Sequence, residues 1–321
     1  MTAGSPLDRP ALVTLGEAMG VVSGVEPGPL AVGGSARLSF AGAEATVAIG
    51  VSRLGHAAAW IGRVGDDAIG SMVLSGLRGE GVDLSGARVD PEASTGLMLR
   101  ERRTADRARV TYYRSGLAGS RLSPADVDAD LIAAARILHV TGITPALSDT
   151  ALAAVREAVR VAKAAGTTVS LDVNYRALLW SRTAASAVLT PMVAQADIVF
   201  AGPEEASLIV AEKEPGRMAR ALSALGPATA VLKLGDQGAL VHHAEEVLVQ
   251  QAIPATSVDP IGAGDAFVAG YLAGTLDGSD AARCLRLAAT CGAFAVSAAG
   301  DWEGLPRRGD LPLLDAADVS R

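Results

Sequence analysis

The chain has 321 residues, with 28 Lys and Arg against 35 Asp and Glu, a formal net charge of −7, and an apolar half. That balance belongs to a compact globular protein and excludes a disordered or collagen-like chain. It also argues against nucleic acid or a membrane surface as the main partner, because phosphate binding needs clustered Lys and Arg.

The length suits one large α/β domain with an inserted piece, or two domains. The densest basic group, Arg102, Arg103, Arg107 and Arg109, is interrupted by Glu101 and Asp106 and reads as a solvated face. The start, MTAGSPLDRP, lacks a basic region followed by an apolar run, and no apolar stretch approaches roughly 18 residues, so a cytosolic protein is expected. Lys163, Lys213 and Lys233 are the only lysines and Asn174 the only asparagine.

In chain order, ALVTL (11–15) reads as a buried strand, and residues 20–40, rich in Gly and Pro, break the pattern that follows. AEATVAIGVSRLG (43–55) has helical period and ends at Gly55. The strand HAAAWIG comes next, then a helix from Asp67 toward Gly79. STGLMLRERRTADRARVTYYRS (94–115) alternates apolar with polar residues and, with 20–40, reads as antiparallel strands solvated on one face. Strand and helix then alternate. RILHVTG (136–142), a Ser148-capped helix to Ala165, TTVSLDV (167–173), ADIVFAG (196–202) and TAVLKLG (229–235) fit one doubly wound, mostly parallel sheet. The two irregular stretches become a small β-layer acting as a lid that excludes water from a reaction. Cys284 and Cys291, seven apart on a predicted helix, stand about 10 Å apart along its axis, too far for a disulfide, and read as core residues.

The strongest chemical signal is DPIGAGDAFVAGYLAG (259–274). A predicted strand, VLVQQAIPA, leads to a turn of Gly262, Ala263 and Gly264, and a helix begins near Asp265. Small residues at a helix N-terminus leave backbone N–H groups open, and the helix dipole adds partial positive charge, so the turn suits an anion. Asp265 is then placed to take a proton from a hydroxyl that attacks a phosphoryl group. An ordinary turn followed by an acidic first helical turn accounts for the same residues. The chain has no GxxxxGK[ST], no G-x-G-x-x-G opening a first βα unit, no HExxH and no C-x-x-C, and its four histidines are scattered, so P-loop, dinucleotide and zinc readings lose support.

DPIGAGDAFVAGYL and AGAEATVAIGVSRLGHAAAWIGRVGDDAIG (41–70) resemble the two signatures of the ribokinase-like (PfkB) carbohydrate kinases, and the resemblance runs from about Ala11 to Pro306. It implies a single kinase domain over 11–306, a three-layer α/β/α sandwich with a mostly parallel central sheet and an inserted β-sheet lid near 20–40 and 94–115. It implies ATP-dependent phosphorylation of a hydroxymethyl group, with Asp265 as base and the Gly262, Ala263 and Gly264 amides as anion hole. KLGDQGALV (233–241) resembles the strand-turn-strand around the nucleotide, so Lys233, Gly235 and Gly238 become nucleotide-binding candidates, although a strand-end Lys is commonly solvated. Glu205 resembles the glutamate that acts through water on Mg²⁺, and Gly42 falls in the substrate-binding helix start.

YYRSGLAGSRLSP (112–124) and LDVNYRALLW (171–180) resemble segments of 2-keto-3-deoxygluconate kinases in which arginines contact a sugar acid. Carried over, these are Tyr112, Arg114 and Arg176. An arginine's planar fork suits a carboxylate, which agrees with an acid substrate. Val21 stands where many neutral-sugar members carry a carboxylate. Asn174 orders the loop bearing Arg176 or serves a simple turn. The chain departs from the family at Ala41, Thr46, Gly202 and Ala289, the last at a usual asparagine beside the adenine. A neutral-sugar kinase and a catalytically silent sugar-binding protein are the alternatives to the acid kinase. Exposed lid strands point to a homodimer through the lid.

Overall fold

The computed structural model describes residues 10–102 and 108–314. Residues 1–9 of the start, and Arg103, Asp106 and Arg107 of the interrupted basic group, lie outside them. Thirteen strands are found among the described residues: β1 (Leu12–Leu15), β2 (Met19–Gly24), β3 (Ala36–Ala41), β4 (Ala58–Gly65), β5 (Ala87–Asp90), β6 (Leu97–Arg102), β7 (Ala108–Tyr113), β8 (Ile137–Thr141), β9 (Thr168–Asp172), β10 (Ile198–Ala201), β11 (Thr229–Lys233), β12 (Ala239–His243) and β13 (Glu246–Gln250). Nine form the main sheet in the order β13-β12-β11-β10-β9-β8-β1-β4-β5, and four form a separate sheet in the order β3-β2-β6-β7.

From β11 to β5 the main sheet is parallel, and the β11-β12-β13 edge is antiparallel. Parallel strands are covered by helices on both faces, which is why β1, β8 and β10 are buried along their whole length. Successive residues serve opposite faces. Ile198 and Phe200 enter one apolar layer with the helices Ala43–Arg53, Ala263–Leu276 and Ala281–Val296, while Val199 and Ala201 enter the other with Asp149–Ala165 and Arg182–Val193. Full burial of each such Leu, Ile or Phe contributes about 1.5–3 kcal/mol. The outcome is the expected three-layer α/β/α sandwich with a mostly parallel sheet.

Local signals account for the helix ends. Asp67 caps Ala68–Gly79 by accepting from Gly70 N, and Ser148 caps Asp149–Ala165 by accepting from Ala151 N. Cys284 and Cys291 are free and buried.

Three expectations are corrected. In the small sheet β2 pairs with β6 in parallel, whereas β2-β3 and β6-β7 are antiparallel. Alternation reports which face a side chain takes but not the strand's direction. The predicted strand VLVQQAIPA stops at Gln250, and the chain from 251 to 260 has no strand. The helix expected near Asp265 begins at Ala263, because Gly262 already takes the N-cap position.

The strand order reverses between β8 and β1, so their carboxyl ends open a crevice of the kind in which doubly wound sheets bind ligands. The small sheet lies beside this crevice. Met19, Val21, Ala41 and Met98 make its buried apolar patch, with Val110 packed against them. Val21, Ser39, Met98 and Tyr112 are in register and share that face.

Candidate active site

Gly262 is left-handed (φ 77°), and a Cβ there would lie 1.9 Å from the Asp301 carbonyl oxygen, so only glycine permits this approach. The turn it caps leaves the first amides of the Ala263–Leu276 helix facing the crevice, with Gly264 exposed. Asp265, in the first turn, is half-buried, and its carboxyl is pushed up to about 7, chiefly by burial and secondly by the Asp172 charge; Lys233 and Arg176 oppose the shift. Asn174 Nδ2 donates to Asp265 Oδ1 at 3.3 Å. Asn174 is buried with φ 39°, a left-handed value that asparagine tolerates better than most residues.

Beside them, at the carboxyl end of β11, Lys233 Nζ donates to both Asp172 oxygens, at 2.8 and 2.6 Å, and its pKa is raised by Asp172 and Glu205 against burial. The ordinary alternative for a strand-end lysine, a solvated side chain, does not describe Lys233, whose side chain is 18% exposed. Lys233 is drawn inward by a carboxylate only 1% exposed, and its ammonium stands 3.7 Å from the position a Cβ on Gly264 would take. Glu205 accepts from Tyr175 N at 3.0 Å and from Gly202 N at 2.7 Å, so it joins the loop after β9 to the one after β10. Burial raises its pKa, with Lys233 acting against the shift.

On the other side of Asp265 the crevice is lined from β1, β7, β8 and the Ala43–Arg53 helix. Gly42 caps that helix, and a Cβ on it would lie 2.4 Å from the Glu17 carbonyl oxygen. Glu44, in the first turn, accepts from Thr141 Oγ1 and Thr144 Oγ1, both at 2.7 Å, and burial raises its pKa. Arg114 follows β7, stacks over Tyr112 at 5.4 Å, and forms an ion pair with buried Glu17, whose own pKa is raised by burial. Arg176 is exposed, donates to the Tyr175 carbonyl at 3.2 Å, and acts electrostatically on Asp265 and Glu205.

The arrangement offers a carboxylate base, an open set of amides, a lysine and two arginines around one crevice. The pfkB family carbohydrate kinase model matches residues 9–308. This chain is a pfkB family carbohydrate kinase. Over 300 residues it is 38% identical to the 2-dehydro-3-deoxygluconokinase of Thermoproteus tenax, covering 92% of this chain and 91% of that protein. It is 35% identical over 302 residues to the enzyme of the same name from Bacillus subtilis (strain 168), covering 93% of each. Among solved structures, a candidate Ribokinase II from E. coli in complex with ATP and Mg²⁺ superposes with a TM-score of 0.88 at 27% identity, over 95% of this chain and 99% of that one.

Most residues expected to form this kinase's site come together in the crevice: Asp265 with Gly262, Ala263 and Gly264, then Lys233, Glu205, Arg176, Gly42, Arg114 and Tyr112. Gly235 has open space around it, Gly238 is pressed against the Gln250 backbone, and Ala289 is half-buried on the helix beside the Ala263–Leu276 helix. The close backbone approach at Gly238 is therefore to the chain's own next strand. Glu17, Glu44, Asp172 and Asp259 were missed. Each is buried; Asp172 ends β9 and Glu44 opens the Ala43–Arg53 helix, positions that a sequence can mark, whereas Glu17 and Asp259 lie in loops.

Proposed function

We propose that this kinase moves the γ-phosphoryl group of ATP to the terminal hydroxyl of 2-keto-3-deoxygluconate, the 2-dehydro-3-deoxygluconate of its relatives' names. The observation that supports the reading is that Arg176 acts electrostatically on Asp265 while Arg114 acts on Glu44, which itself acts on Asp265, and each arginine has a planar fork suited to a carboxylate. Asp265, with a pKa near neutrality, takes the hydroxyl proton as the oxygen attacks. The amides of residues 262–264 and Lys233 hold the transferring charge. Asn174 and Glu205 keep the Asp265 carboxylate and the Arg176 loop in place through the hydrogen bonds that each makes.

Among the described residues no three His, Cys, Asp or Glu groups form a direct cage for a metal ion. That fits Mg²⁺ held mainly by phosphate oxygens and water, with Glu205 reaching it through water, since its carboxylate keeps lone pairs beyond its two N–H bonds. The bound ion supplies charge neutralisation on the phosphates. The small sheet closes over the sugar and keeps bulk water from the phosphoryl group.

One observation favours a neutral sugar: Glu17 already offers Arg114 a counter-charge, although Arg114 Nε keeps no hydrogen-bond partner among the described residues. Rates with 2-keto-3-deoxygluconate, its galacto epimer, fructose and ribose at matched concentrations separate the readings. The acid reading expects the highest kcat/KM for a keto-deoxy acid, and preference for fructose or ribose sinks it. We further infer a cytosolic enzyme that dimerises through the outer face of the small sheet, where Val22, Leu38, Leu99 and Thr111 lie in one register row and Leu38 is 62% exposed.

A further inference from the structure

The cleft face of the small sheet is fastened to the loop that follows the Ala281–Val296 helix. Ser39 Oγ donates to Glu303 Oε1 at 2.7 Å, Trp302 Nε1 donates to the Phe40 carbonyl at 3.1 Å, and Arg37 reaches the Ala299 carbonyl at 3.5 Å. The fourth contact differs in kind. Arg100, on β6 and in register with Ser23 and Val110, forms an ion pair with Asp259, the first residue of the DPIGAGD run.

Asp259 is a joint between three segments. Its Oδ1 accepts from Ile261 N at 3.2 Å, and its Oδ2 accepts from Gly300 N at 3.3 Å and from Arg100. Ile261 adjoins Gly262, whose close approach to the Asp301 carbonyl sets the start of the Ala263–Leu276 helix. Thus one carboxylate, 8% exposed, holds the turn that presents the anion-hole amides, and the small sheet supplies its counter-charge. With the sheet withdrawn, Asp259 would lose its cation beside Asp301, a carboxyl on which Glu303, Asp265 and Asp259 all act electrostatically and which Arg100 opposes. Such a turn would lose its fixed geometry, and amides displaced by about 1 Å cost on the order of a hundredfold in rate.

We propose that Arg100 is a positioning residue: seating of the small sheet delivers its guanidinium to Asp259 and thereby sets the 260–264 turn, so phosphoryl transfer is tied to closure over the sugar. The proposal rests on that turn being the anion hole, but not on which sugar is bound. Kinetics are therefore run with whichever sugar the wild type phosphorylates best, and rejection of the acid substrate leaves this test intact.

Arg100→Met, Arg100→Lys, Asp259→Asn and the Arg100→Met/Asp259→Asn double variant are compared for kcat, KM of sugar and ATP, and thermal unfolding. Arg100→Met should lower kcat on the order of tenfold to a hundredfold while both KM values stay within about threefold. Arg100→Lys should recover part of kcat, and the double variant should be no slower than the poorer single one, because both remove the same link. Unchanged kcat in folded Arg100→Met, a loss confined to KM, or losses that multiply in the double variant would each overturn the proposal. If Arg100→Met unfolds, Arg100→Lys with kcat reduced at unchanged KM supports the proposal, and wild-type kcat together with wild-type unfolding behaviour in Arg100→Lys and Asp259→Asn overturns it.

Discussion

Arg114 and Glu17 form an ion pair across 97 residues of sequence, with 11% and 2% of their side chains exposed. The pair fixes the end of β7 against the loop after β1, and removing one partner of such a buried pair costs about 3–5 kcal/mol. Arg114→Met should lose that much in urea unfolding and raise KM for the sugar acid by on the order of tenfold. Glu17→Gln should lose stability without raising that KM, since the guanidinium remains. A sugar-acid KM untouched in Arg114→Met removes Arg114 from substrate binding.

Asp265 gives a pH signature. Its carboxyl lies near 7, so the ionised base disappears as pH falls through about 7, and kcat/KM should drop about tenfold per pH unit below that. Asp265→Asn should reduce kcat by about 10²–10⁴-fold. The folded-state pKa is raised above the ordinary value of 3.8, so the native chain binds this proton more tightly than the unfolded one, and the stability it brings is lost as pH rises from about 3.8 through about 7. Asp265→Asn should therefore unfold at a higher Tm than wild type at pH 8, with the gain vanishing near pH 4. Calorimetry across that range checks the sign.

Lys233 and Asp172 are bonded twice, and Asp172 is almost wholly enclosed. Lys233→Met leaves that carboxylate without its cation and should cost about 3–5 kcal/mol by chemical denaturation. Adding Asp172→Asn should restore a good part of it. A double variant as unstable as the sum of the two singles would mean the residues act independently.

Gly262→Ala places a methyl group 1.9 Å from the Asp301 carbonyl and keeps φ at 77°. The turn must move, so kcat should fall on the order of a hundredfold while the sugar KM changes little. Steady-state kinetics on the folded variant decide it.

Leu38→Glu puts a charge on the outer face of the small sheet without touching the crevice. Light scattering should read about twice the chain mass for wild type and one chain mass for the variant. A wild-type monomer removes the lid-dimer reading.

What could be read without coordinates divides along physical lines. The main-sheet strands announced themselves because burial on both faces makes short continuous apolar runs, as in LVTL and IVFA. The GAGD turn was legible because small residues next to an acidic helix start leave little else to specify. Glu17 with Arg114, Asp172 with Lys233 and Asp259 with Arg100 were not, because their partners lie 97, 61 and 159 residues away and no local period encodes such a meeting. The parallel pairing of β2 with β6 escaped for a related reason: alternation is the same in either direction.

Asn174 sets an uncharged amide against the proposed base. It is the only asparagine in the sequence, and its amide nitrogen lies 3.3 Å from Asp265. Hydrolysis of that one amide to a carboxylate would set a second negative charge against the base, force the pair to share a proton, and push the Asp265 pKa higher still. The neutrality of the one asparagine therefore helps to set the pH at which the enzyme works.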